Sequence, residues 1–66
     1  MKNAIVNMRK VDVRLSPNDM VIDTLYEGHK VVILDSESYS DWVEIYYELK
    51  GTNEGRRGFV QRRFLK

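Results

Sequence analysis

Trp42-Val43-Glu44-Ile45-Tyr46-Tyr47 is the stretch that decides the fold. Read with a period of two, it puts Val43, Ile45 and Tyr47 on one face and Trp42, Glu44 and Tyr46 on the other. That is the pattern of a strand with one buried side. The residue types agree with the period, because aromatic and β-branched side chains suit a pleated surface. Working outward, Val31 to Leu34 is a compact apolar run, separated from Trp42 by the acidic, Ser-rich loop Asp35 to Asp41. Further upstream, Val21-Ile22-Asp23-Thr24-Leu25 leads to Glu27-Gly28, where glycine permits a positive φ. Val11-Asp12-Val13-Arg14 alternates again and stops at Ser16-Pro17-Asn18-Asp19, which is turn chemistry. Downstream, Lys50 to Gly55 reads as a hairpin tip, Gly58-Phe59-Val60 begins the last strand region, and Phe64-Leu65 supplies two closing apolar groups.

Helix is excluded by the same pattern. No window carries a sustained stripe at 3.6 residues, and turn signals recur too often. Several brief strands in a chain of 66 residues leave room for one domain, spanning 1–66. With five strands, closing the sheet into a small barrel is the expected architecture, because closure removes exposed edges.

Composition narrows the class further. The chain is 42% hydrophobic and 32% charged, which is globular rather than disordered. It has no cysteine, so neither disulfides nor thiolate–metal sites stabilise it. No apolar run reaches the length that spans a bilayer, and Met1 to Lys10 lacks the apolar core of a signal peptide. The net charge of +1 conceals a strong asymmetry. Residues 1–14 carry +3, residues 15–54 carry −7 and residues 55–66 carry +5, from Arg56, Arg57, Arg62, Arg63 and Lys66. If the chain ends meet, their positive charge is concentrated in one region.

Taken in order, these residues resemble the bacterial SH3 domains known as SH3b. The resemblance rests on Val11, Val13, Arg14 and Pro17, then Val21, Ile22, Leu25, Gly28 and Val31. It continues through Trp42, Gly55, Gly58, Phe59, Val60, Phe64 and Leu65, so it covers about Ala4 to Leu65. It implies an all-β fold, a small five-stranded antiparallel SH3-like barrel with a 3₁₀ turn at Gln61–Arg63 before the last strand. It also implies an RT-type loop around Arg14–Met20, an n-Src-type loop over Asp35–Asp41 and a distal hairpin tip at Leu49–Gly55. In such a fold the first and last strands lie together, which would bring the two basic ends into one electropositive region.

Trp42 is the first candidate for ligand contact, since it starts a strand at the edge of the acidic loop and a wide indole offers a flat, dry surface. The plainer reading is that it covers one end of the barrel. Arg14, Asn18, Tyr39, Asp41 and Phe64 complete the expected ligand-binding set, in the groove between the RT-type and n-Src-type loops. Tyr46 and Phe59 could extend this surface or simply pack. Polyproline recognition is disfavoured: Gln61 stands where SH3 domains of that type place a groove-lining Pro, and the N-terminal Ala-Leu-Tyr-Asp-Tyr motif is absent. Arg56, Arg57, Arg62 and Arg63 form a candidate contact for an anionic partner, because guanidinium grips carboxylate and phosphate with a two-pronged fork. Against that, arginines on a hairpin and a turn can simply be solvated or answer the acidic middle of the chain.

His29, the one histidine, stands beside Gly28 and reads as a surface turn residue. With no cysteine and no ligand spacing around it, no metal site or cofactor is expected. No nucleophile motif or phosphate loop is present either, so the chain is expected to be non-catalytic. The expectation is a module binding peptide or protein, in the family often cell-wall peptide beside a hydrolase. Ends that coincide with domain ends suit an excised targeting module at the cell envelope. They suit equally a complete cytoplasmic protein, phage- or plasmid-encoded, that modulates a host protein. The alternative class is nucleic-acid binding through the basic termini. The near-neutral total and the −7 middle weigh against it.

Overall fold

The computed structural model describes residues 1–34 and 40–66. Six strands follow in chain order: β1 (Lys2–Ile5), β2 (Lys10–Arg14), β3 (Val21–Tyr26), β4 (Lys30–Ile33), β5 (Trp42–Glu48) and β6 (Gly55–Gln61). A 3₁₀ turn at Arg62–Phe64 follows β6, one residue later than expected. All pairings are antiparallel and the strands form one sheet, ordered β1-β4-β5-β6-β2-β3.

The all-β class is as expected, but the strand count and the closure need correction. The sheet has six strands rather than five, and its ladder is open, with β1 and β3 as its edges. The additional strand is β1, whose Lys-Asn-Ala-Ile sequence carries one buried side chain, Ala4. Such residues have little strand preference of their own. β1 forms because β4 offers it four cross-strand partners, from Lys2↔Ile33 to Ile5↔Lys30. The final strand expected at Phe64–Leu65 is reduced to a single bridge, Val6↔Leu65. Around it, Ile5 and Lys66 exchange backbone hydrogen bonds at 3.1 and 2.9 Å, and Asn7 N donates to Phe64 O at 2.7 Å. The chain ends therefore meet, as the resemblance implied.

One core cluster draws on every strand: Ala4 from β1, Val11 and Val13 from β2, Leu25 from β3, Val31 and Ile33 from β4, Val43, Ile45 and Tyr47 from β5, and Val60 from β6. The described residues include no helix beyond the 3₁₀ turn, and the partly buried Ile22, Leu49, Phe64 and Leu65 pack against this cluster. The period-two reading of β5 holds throughout, with Val43, Ile45 and Tyr47 inward and Glu44 and Tyr46 outward. Val13 and Val11 likewise point in while Asp12 faces solvent.

Three connections shape the outer surface. The β2–β3 loop, residues 15–20, is held by Leu15 N donating to Met20 O and by Arg14 Nη1 donating to Asp19 O at 2.8 Å. Asn18 there has φ 61°, a left-handed conformation that Asn tolerates better than most residues. The β3–β4 turn uses Gly28 at φ 90°. Between β5 and β6, the tip at 49–54 is closed by Leu49 N donating to Glu54 O. Of the n-Src-type loop, residues 35–39 lie outside the described residues.

Candidate functional site

Residues of β2, β5 and β6 meet the 3₁₀ turn to form a groove of about 330 Å³. Its lining is Lys10, Val11, Asp12, Arg14, Trp42, Gln61 and Phe64. The register explains the convergence. Trp42 pairs with Gln61 across β5 and β6, and Arg14 pairs with Phe59 across β2 and β6, so side chains distant in sequence share one face. Alternation along β2 then sends Lys10, Asp12 and Arg14 to that same face.

The walls are fixed by bonds reaching across the fold. Arg62 N donates to Asp41 O at 2.8 Å and Arg62 Nε donates to Ser40 O at 3.1 Å, which ties the entry to β5 onto the 3₁₀ turn. Ser40 caps Trp42 in both directions: its hydroxyl donates to Trp42 O at 2.7 Å and accepts from Trp42 N at 3.1 Å. Leu65 N closes the turn onto Arg62 O, and Asn7 grips Phe64 O. Both aromatic groups are half-buried, so each is anchored while keeping an accessible edge. The Arg63 guanidinium lies over the Phe64 ring at 4.9 Å, and its Nε donates to Gln61 Oε1 at 3.1 Å.

Of the residues expected to bind a ligand, the groove brings together Arg14, Trp42 and Phe64. Asp41 adjoins Trp42 at the rim through its carbonyl, whereas Asn18 belongs to the tip of the β2–β3 loop and does not line the groove. Tyr39 lies outside the described residues. Sequence reasoning missed Lys10 and Asp12 as groove residues. Their alternation with Val11 and Val13 signalled an outward face, but nothing local said which neighbour that face would meet.

The four arginines do not form one patch. Arg56 and Arg57 sit at the start of β6, while Arg62 and Arg63 follow its end, separated by about 20 Å of extended chain. Arg56 approaches Asp23, with Nη1 3.7 Å from Oδ2. Arg57 is exposed, opposite Tyr46. Asp23 also accepts a hydrogen bond from the buried Tyr47 hydroxyl at 2.9 Å. Burial, and then the bonded Asp23 carboxylate, push that hydroxyl up to about 12. The polar triplet therefore finishes one end of the core, and the His29 ring meets Tyr47 edge-on at 6.2 Å. His29 is a half-buried part of this end, with Nε2 3.2 Å from Glu48 O, rather than a free turn residue.

A second, wider depression of about 1050 Å³ includes Ile5, Val32, Tyr46, His29 and Lys30. Its apolar side chains include the exposed Ile5 and Tyr46 and the half-buried Val32, the last two neighbours in the cross-strand row Asn3–Val32–Tyr46. Tyr46 lies across Gly55, where any Cβ would run into its ring. The groove at Trp42 has the stronger claim to a ligand because its polar groups converge on two anchored aromatics. Among the described residues no group of three His, Cys, Asp or Glu could hold a metal ion, and no helix is long and apolar enough to cross a membrane.

Comparison with known proteins supplies no relative. No family model, curated protein or solved structure matches the chain. The groove is therefore read from its own geometry.

Proposed function

We propose that the chain is a non-catalytic SH3-type module that binds an extended peptide or protein segment in the groove at Trp42 and Phe64. One observation carries this reading: Arg14, Trp42 and Phe64, chosen from the sequence for ligand contact, lie on a single groove with Lys10, Asp12 and Gln61. Anchored aromatic edges flanked by polar groups are what recognition of an extended chain requires. The SH3-like assignment draws support from the all-antiparallel sheet, the β2–β3 loop and the 3₁₀ turn before the closing bridge. The additional edge strand β1 is a departure from the five-strand pattern.

The natural ligand is read as a cell-wall peptide or a segment of a host protein. Retention on purified cell walls tests the first. Wild type should be retained, and Trp42→Ala should pass through while keeping its circular dichroism spectrum and melting temperature. Equal retention of both proteins would remove Trp42 from the site. For the nucleic-acid alternative, the pairing of Arg56 with Asp23 and the separation of the arginines reduce the concentrated basic surface it needs. Titration with labelled oligonucleotides at low salt decides it: strong binding that weakens steeply as salt rises would replace the peptide reading.

A further inference from the structure

We infer that the groove selects an acidic peptide, one that sets a carboxylate beside an apolar side chain resting on Trp42 and Phe64. This rests on the peptide-binding reading above and goes further in naming the charge of the ligand.

The balance of charge around the groove carries the inference. Lys10 and Arg14 stand on the β2 wall with Asp12 between them, while Arg63 stacks on the Phe64 ring outside the lining of the groove. Asp12 is already approached by Arg14, with Nη2 3.9 Å from Oδ2. Arg14 is held in place by its bond to Asp19 O, so its guanidinium is oriented before any ligand arrives. Lys10 has no hydrogen-bond or ion-pair partner for its ammonium among the described residues, and Arg63 spends only Nε on Gln61. The lining donors left over are thus cationic, the one lining carboxylate is partly answered from within, and the acid nearest the rim, Asp41, lies on the β5 side away from Lys10 and Arg14 in the strand order. A basic peptide would face Lys10 and Arg14 together. An acidic one gains charge-assisted hydrogen bonds from groups already in place. A peptide fits better than a nucleic-acid strand, because it can set carboxylates singly and avoid Asp12, whereas a strand presents a phosphate at every residue.

Selection of a random dodecapeptide display library on the immobilised protein, run in parallel on Trp42→Ala, tests this. Wild type should enrich peptides with net negative charge and at least one aromatic or large aliphatic residue, and Trp42→Ala should enrich none of them. Lys10→Glu, which changes an exposed side chain and should melt like wild type, should weaken the selected peptide by about tenfold, near the value of one oriented charge pair. A neutral or basic consensus that still depends on Trp42 would overturn the charge inference and leave the groove reading standing. Enrichment identical on wild type and Trp42→Ala would overturn the groove reading and the inference with it. Tighter binding of an oligothymidylate than of the selected peptide would assign these cations to phosphate and overturn the inference.

Discussion

Gly58 shows at the scale of one residue how little spare volume the fold has. Its φ is not in the left-handed region, so backbone freedom is not the reason for glycine. A Cβ there would collide with the Val13 side chain and come within 3.1 Å of Arg14 O and 3.2 Å of Ile22 Cδ1. Gly58→Val should therefore destabilise by overpacking, about 1–3 kcal/mol or more, read from urea unfolding. An unchanged midpoint would mean that β2 and β6 lie further apart than described. Tyr47 offers a pH test. Its hydroxyl is held up to about 12 in the folded chain, against about 10 when exposed in the unfolded chain. The group's contribution is fully present below pH 10 and is lost as pH rises from about 10 to 12. Wild type should lose stability across that window, and Tyr47→Phe should show a flatter profile there while being less stable at neutral pH by about 1 kcal/mol. Parallel profiles would place the hydroxyl in water.

The register is tested at the scale of the strand. Val13 is fully buried and Asp12 exposed, so Val13→Asp should unfold the chain by burying an unpaired carboxylate. Asp12→Val should shift stability by no more than about 0.5 kcal/mol. Thermal unfolding of the pair decides, and the reversed order would mean a strand slipped by one residue. The sequence made β2, β3, β4, β5 and β6 legible because each has several apolar residues at the right spacing or a bounding turn signal. It did not reveal β1, where Ala4 is the one buried residue and the strand owes its existence to β4. Val6, just beyond β1, packs into the same core, so Val6→Ala should cost about 2 kcal/mol. A negligible effect would mean that the N-terminal segment is dispensable. The candidate site was legible in the same uneven way. Trp42, Phe64 and Arg14 are conspicuous as residue types, whereas Lys10 joins them only through sheet order, which places β2 beside β6. The arginines show the converse. Arg56 and Arg62 are close in number, but a strand carries them to different ends of the molecule.

For the whole molecule, no helix among the described residues covers the inner face of the sheet beyond the 3₁₀ turn, and residues of β2, β5 and β6 meet that turn at the groove. Arg62 links these, since its bonds to Ser40 and Asp41 set the wall that carries Trp42. Backbone amide chemical-shift mapping, with a peptide selected on the immobilised protein titrated into labelled wild type, tests the account most directly. Perturbations should concentrate at Lys10–Arg14, Trp42 and Gln61–Phe64. Perturbations centred on Ile5, Val32 and Tyr46 instead, with the Trp42 groove unmoved, would contradict it.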